Sequence, residues 1–199
     1  MNMKSLFGVL VFMITAQLSI SQESLKSEKE RVLAMSLEIN APRDSVWSRF
    51  ATESGRHKFF APASNFELTT LGRVDILFNP SAPEGQRGAE NNRVLTVQEK
   101  KMISFTWDAP PQWPAIRKQR TVVIFRFYEI AANKTLVTFH QMGWGTGTEW
   151  DAVYQYFTKA WSGFVLPNLK YSLEVGPIDW SDFPNKLPKD LKPATLLTE

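Results

Sequence analysis

Chemistry in a chain of this kind would have to come from few groups. There are two histidines, His57 and His140, and no cysteine, which excludes thiolate catalysis, disulfides and cysteine-ligated metal. Neither histidine stands at a usual metal-ligand spacing from carboxylates, so the sequence predicts no metal site and no cofactor. The carboxylates Glu67, Asp75, Asp108, Glu149 and Asp151 are the acid–base candidates, and their spacing fixes no geometry between any two of them. Gly143-Trp144-Gly145-Thr146-Gly147 has the glycine density of a phosphate loop but lacks the lysine and hydroxyl residue that would follow, so it reads as a turn. Arg117-Lys118-Gln119-Arg120 is the one basic cluster, suited to an acidic partner or to a solvated loop.

The denser signal is aromatic: 14 Phe, 7 Trp and 4 Tyr in 199 residues. Trp150, Tyr154, Phe157, Trp161 and Phe164 recur at steps of three and four, which defines one face of a long helix. Thr148 is the expected N-cap, Glu149 and Asp151 suit the positive end of the helix dipole, and Gly176-Pro177 stops the run. Pro167 falls inside it and cannot donate to the carbonyl of Gly163, so a kink is expected between the two.

Strands must cover that face. Leu33, Met35, Leu37 and Ile39 alternate with smaller or polar residues in a first strand. Two short helices follow, one carrying Val46, Trp47 and Phe50, the other over 52–58. Strands are then expected at 66–70, 74–78, 93–98, 103–107, 121–130 and 136–142. Long loops are expected at 79–92 and 108–120, the second with Trp113 among three prolines. The order is β-α-α, six strands, then the long helix, and an antiparallel sheet bent around that helix is the economical way to bury its aromatic face. Strand alternation and helix face direct Phe66, Ile103, Phe105, Trp107, Phe125, Phe127, Phe139, Trp150, Tyr154, Phe157 and Trp161 inward, as a filled core or as the lining of a cavity.

Residues 1–21 read as a secretory signal peptide: Lys4, an apolar stretch from Leu6 to Ile14, and Ser19 and Ser21 at the −3 and −1 positions of a cleavage site. Residues 22–31 form a polar lead-in, 32–180 the folded domain and 181–199 a proline-rich tail with a loose end. The expected location is periplasmic or secreted, with no stable membrane insertion after cleavage. The net charge is +3, and without the first 21 residues 22 basic groups face 20 acidic ones, too even a balance to predict nucleic-acid binding.

The element order, with Trp107-Asp108-Ala109-Pro110-Pro111, Gln119-Arg120-Thr121 and Gly143-Trp144-Gly145 through Trp161, resembles the START-like superfamily, also called Bet v 1-like or SRPBCC. Within it the chain is similar to the activator of Hsp90 ATPase homologue 1-like branch, as are Phe60-Ala61-Pro62, Gly85-Gln86-Arg87-Gly88 and Gly176-Pro177-Ile178-Asp179-Trp180. The resemblance covers 33–180. It implies an α+β helix-grip fold: a seven-stranded curved antiparallel sheet around the C-terminal helix, with a hydrophobic cavity between them. In that branch a histidine often occupies the position of Gln141, next to His140, and one step along a strand reverses the face. The cavity lining expected here is therefore Trp47, Phe60, Phe66, Phe78, Phe105, Trp107, Phe125, Phe127, Phe139, Gln141, Trp150, Tyr154, Phe157 and Trp161.

Three functions are consistent with this lining. The first is non-enzymatic binding of a small apolar or amphipathic molecule. The second is a cyclase- or hydrolase-type enzyme using Asp108 or Tyr154. The third is a co-chaperone-like interaction module docking through the Trp113 loop and the basic cluster. An export signal opposes the third, because bacterial Hsp90 is cytosolic.

Overall fold

The computed structural model describes residues 30–197. The expected signal segment, and the lead-in up to Ser27-Glu28-Lys29, lie outside the described residues. The domain is one antiparallel sheet of eight strands in the order β2-β3-β4-β5-β6-β7-β1-β8. The strands are β1 (Leu33–Ile39), β2 (Ala63–Phe66), β3 (Arg73–Leu77), β4 (Gly88–Gln98), β5 (Met102–Trp107), β6 (Thr121–Ala131), β7 (Lys134–Met142) and β8 (Thr195–Leu196). In β7 the side chains from Thr135 to Gln141 alternate strictly between buried and half-buried, as a sheet with one covered face requires. Register shifts interrupt the β3–β4, β4–β5 and β6–β7 pairings. Such bulges bend strands and raise their twist, which lets the sheet curl around a helix.

Helices α1 (Arg43–Ala51) and α2 (Glu53–His57) follow β1, and Thr52 caps α2 by accepting from the Gly55 amide at 2.9 Å. Helix α1 buries Val46, Trp47 and Phe50. A short turn of helix, α3 (Pro114–Arg117), sits inside the expected 108–120 loop. The long C-terminal helix comprises α4 (Thr148–Ala160), a π-turn (Trp161–Val165) and α5 (Leu166–Glu174). Its N-cap is Gly147, with φ of 102°, so Thr148 is the first helical residue and does not cap.

The stripe that is fully buried runs Val153, Phe157, Trp161, Val165 and Leu169. Trp150, Tyr154 and Phe164 flank it and are half-buried. Where a kink is expected, between Gly163 and Pro167, the helix carries a π-turn, in which the Leu166 amide donates to Trp161, five residues back. Widening the turn just before the proline accommodates the missing donor.

Several boundaries differ from expectation. Strand β2 starts at Ala63 and ends at Phe66, because the chain from 67 to 72 turns to place Leu71 and Gly72 in hydrogen bonds with Val94. Strand β4 begins at Gly88, five residues early, and thereby shortens the loop after β3. The last two residues, Thr198 and Glu199, lie outside the described residues, but the tail before them is tied to the domain. The Ala194 amide donates to Ser162 at 2.9 Å, and Thr195 and Leu196 pair with Ser36 and Met35 as an eighth strand on the β1 edge.

Candidate functional site

Trp161 stands where two environments meet. It is 1 % exposed, with its ring centroid 4.5 Å from Phe139, 5.1 Å from Trp107 and 5.9 Å from Phe125. Its indole N–H donates to Gln141 Oε1 at 2.9 Å, as a buried indole needs. Gln141 Nε2 in turn donates to Thr121 Oγ1 at 2.8 Å, and Thr121 Oγ1 donates to the Trp107 carbonyl at 3.1 Å. The chain of bonds ties the indole of Trp161 to the backbone at Trp107.

On one side of Trp161 the interior is filled. Phe50, Phe59, Phe60, Phe105, Phe125 and Phe139 have essentially no exposure and stack or tilt against one another at 4.9–6.5 Å. On the other side a cleft of about 460 Å³ opens between the helix, the β3–β4 connection, the segment after β5 and the C-terminal tail. Trp107 and Trp161 form its floor, and Phe78, Phe157, Phe164, Val165, Phe183 and Leu187 its apolar walls.

Of the fourteen side chains expected to line a cavity, Phe78, Trp107, Phe157 and Trp161 meet in this cleft. Trp47, Phe60, Phe66, Phe105, Phe125, Phe127 and Phe139 belong to the packed core, together with Ile103. Gln141 is fully buried beneath the floor. Trp150 and Tyr154 surround Trp144, with centroids 6.4 and 4.9 Å from it. The correction has a simple cause: so many large rings crossing the centre fill it, and open space survives only where loops replace strand pairing.

The cleft has a polar end that sequence reasoning largely missed. Asp108 and Glu90 are buried, at 3 % and 2 % exposed. Asp108 Oδ2 pairs with Arg117 Nη1 at 2.7 Å, and Oδ1 accepts from Asn92 Nδ2 at 2.9 Å. Arg117 Nη2 donates to the Gly88 carbonyl at 2.8 Å, and its Nη1 also donates to the Ala109 carbonyl. Glu90 accepts from Arg87 Nε at 2.7 Å and from the Arg87 and Gly85 amides at 3.0 and 3.2 Å. Burial pushes the Asp108 carboxyl above its ordinary value, and Asn92 and Arg117 offset only part of this. Burial also pushes Glu90 up, but there the hydrogen bonds from Arg87 and Gly85 prevail and hold it below its ordinary value. Asp108, Arg87 and Arg117 all face the cleft. The available signal was alternation: Glu90 and Asn92 occupy inward positions of a strand that the 79–92 loop assignment concealed.

Arg117 is thus turned inward, while Lys118, Gln119 and Arg120 are exposed. Trp113 is half-buried, edge-on to Tyr156 at 5.7 Å, and Tyr156 is 42 % exposed. His57 Nδ1 lies 2.8 Å from the Pro62 carbonyl, and His140 pairs in register with Ala34 and Ile124, on the sheet face opposite Gln141. Among the described residues no group of three or more His, Asp or Glu side chains could hold a metal ion, and no helix is long and apolar enough to cross a membrane.

Residues 40–173 match the family model described as activator of Hsp90 ATPase homolog 1-like protein. No curated protein matches. Among solved structures, a Mesorhizobium loti protein is similar at 21 % identity and TM-score 0.54, over 72 % of this chain and 94 % of that one. The Aha1 dimer from Colwellia psychrerythraea is similar at 18 % identity and TM-score 0.55, over 73 % and 98 %. An HSP90 activator from Plasmodium falciparum is similar at 12 % identity and TM-score 0.56, over 73 % and 96 %. At these identities the likeness establishes a shared fold.

Proposed function

The chain belongs to the activator of Hsp90 ATPase homolog 1-like family, and on that premise we propose that it is a non-enzymatic binding domain for a small amphipathic molecule. The observation that carries this reading is the cleft of about 460 Å³ over Trp107 and Trp161, beside an otherwise filled aromatic core. That volume is within the range of small-molecule sites, and an apolar lining with a few convergent polar groups is their usual make-up. The apolar body of a ligand would lie on the two indoles, with its polar end toward Asp108, Arg117 and Arg87. Asp108 already accepts from Asn92 and Arg117, which suits a fixed recognition element better than a proton shuttle. The proposal includes export, with cleavage after Ser21, and N-terminal sequencing of the mature protein tests that part.

Ala160→Trp tests the cleft. Ala160 lines it from the helix, so an indole there fills the space from an element that tolerates large side chains. Binding of a hydrophobic dye such as ANS should fall at least about tenfold, with the far-UV spectrum unchanged. Unchanged dye affinity would refute the reading.

A second reading, a protein-interaction module, is favoured by the half-buried Trp113 ring against exposed Tyr156, next to Lys118 and Arg120. It requires that the purified chain stimulate an Hsp90 ATPase in vitro and that Trp113→Ala abolish the stimulation.

A further inference from the structure

The C-terminal tail crosses the cleft and is fastened at both ends. At its start the Ile178 amide donates to the Lys58 carbonyl at 3.0 Å, and Trp180 Nε1 donates to the His57 carbonyl at 2.5 Å. At its finish Ala194 donates to Ser162 in the π-turn, and β8 extends the sheet beyond β1. Between these anchors, residues 181–193 bond chiefly to themselves: Lys186 to Asp182, Leu187 to Pro184, Asn185 to Asp182 and Lys186 to Ser181. Into the cleft this span sends two side chains, and Pro188 and Leu191 are half-buried beside them. Phe183 and Leu187 line the cleft, and the Phe183 ring lies 6.0 Å from Phe164. Phe183 is nonetheless 39 % exposed, so much of its ring faces water.

A segment with fixed ends, internal hydrogen bonds and a few partly buried apolar side chains as its hold on the domain can lift without unfolding what it covers. Thirteen residues lie between Trp180 and Ala194, a contour of roughly 40 Å at about 3.3 Å per residue. Along it the backbone bonds stay within the span, so its middle can move while both anchors hold. The span also lies beyond the residues matched to the family, 40–173, so this wall of the cleft is built by the chain's own extension.

We propose that residues 181–193 form a movable outer wall of the cleft through which ligand enters, and that Phe183 and Leu187 set the size and shape of ligand admitted. This rests on the cleft being the binding site. The contacts to be broken on entry are the Phe183 ring against Phe164 and Trp180 and the Leu187 side chain against the cleft, while the backbone ties at Ile178 and Ala194 persist.

Stopped-flow binding of ANS to the full chain tests it, with four proteins compared: the parent, Phe183→Ala/Leu187→Ala, Phe183→Trp and Ala160→Trp. With the two strap side chains removed, association and dissociation should both accelerate, by about tenfold, because the opening step no longer limits them. Phe183→Trp, which enlarges the wall without removing its hold, should slow both. Far-UV spectra and melts of each variant confirm folding. If Ala160→Trp abolishes binding while the double alanine variant binds and releases dye at the parent's rates, the cleft reading stands and the movable wall is refuted. If Ala160→Trp binds like the parent, the cleft itself is not the site and both fall.

Discussion

Two regions share the indole of Trp161 and differ in nearly everything else. Behind it, Phe50, Phe59, Phe60, Phe125 and Phe139 close on one another without exposed surface. In front of it, Phe78, Phe157, Phe164 and Phe183 surround open space. The residue types are the same, so composition does not decide which end is open. Backbone does. The filled region lies between paired strands and the helix, at fixed spacing, where rings from both layers reach across. The open region is bounded by the β3–β4 connection, by Pro110 and Pro111 after β5, and by the tail, none of which brings a full row of side chains inward.

The contrast predicts unequal responses to the same truncation. Phe139→Ala removes a fully buried ring that touches Phe125 and Trp161, and should cost about 3–5 kcal/mol in chemical denaturation. Phe164→Ala, at the cleft wall, should cost about 1 kcal/mol or less and alter dye binding more than stability. Equal losses at the two positions would mean that the cleft is closed in solution. Between these extremes lies Gln141→Leu, which leaves the Trp161 N–H without its acceptor at the boundary of the two regions. We expect a loss of about 1–3 kcal/mol and a weakened cleft floor, read as lower dye affinity.

The smallest effects are expected at the polar end, where two neighbouring carboxyls act with opposite sign. Glu90 titrates below its ordinary value of 4.5 in the folded protein, so the stability it contributes is complete above that value and is lost as pH falls through the lowered one. Asp108 titrates above its ordinary value of 3.8, so its contribution is complete below that value and is lost as pH rises through the raised one. Melting temperatures measured from about pH 3 to 6 should therefore fall less steeply toward acid in Glu90→Gln, and more steeply in Asp108→Asn, than in the parent. The same slope in all three proteins would show that neither group is perturbed.

The fold was legible because periodicity and burial are coupled. Alternation in β7 and the helical spacing of Phe157 and Trp161 report directly which side chains face inward, whereas in β1 Ala34 is buried as well as Leu33 and Met35. The family resemblance, carried by Trp107 through Pro111 and Gly143 through Trp161, rested on the same elements. The site was legible only in part. Periodicity indicates that Phe125 and Trp107 both point inward, but not that Phe125 stays within the packed rings while Trp107 also borders the cleft. Trp180 and Phe183 were legible as rings able to pin the tail to the domain, but the place of Phe183 and Leu187 in the cleft wall was out of reach, because 181–193 has no period and its placement depends on anchors distant in sequence, such as Lys58 and Ser162. The buried Glu90 was missed for a related reason: a strand that starts at a glycine and carries successive asparagines resembles a loop until its partners are known.

The central claim is that a small amphipathic molecule binds on the two indoles of the cleft floor. The seven tryptophans give seven separate indole N–H signals in a nitrogen–proton correlation spectrum. Titration with ANS should shift those of Trp107 and Trp161 and leave that of Trp47, packed on Phe127 within the core, in place. Saturable binding that leaves Trp107 and Trp161 unmoved, or that moves Trp47 instead, would contradict the account.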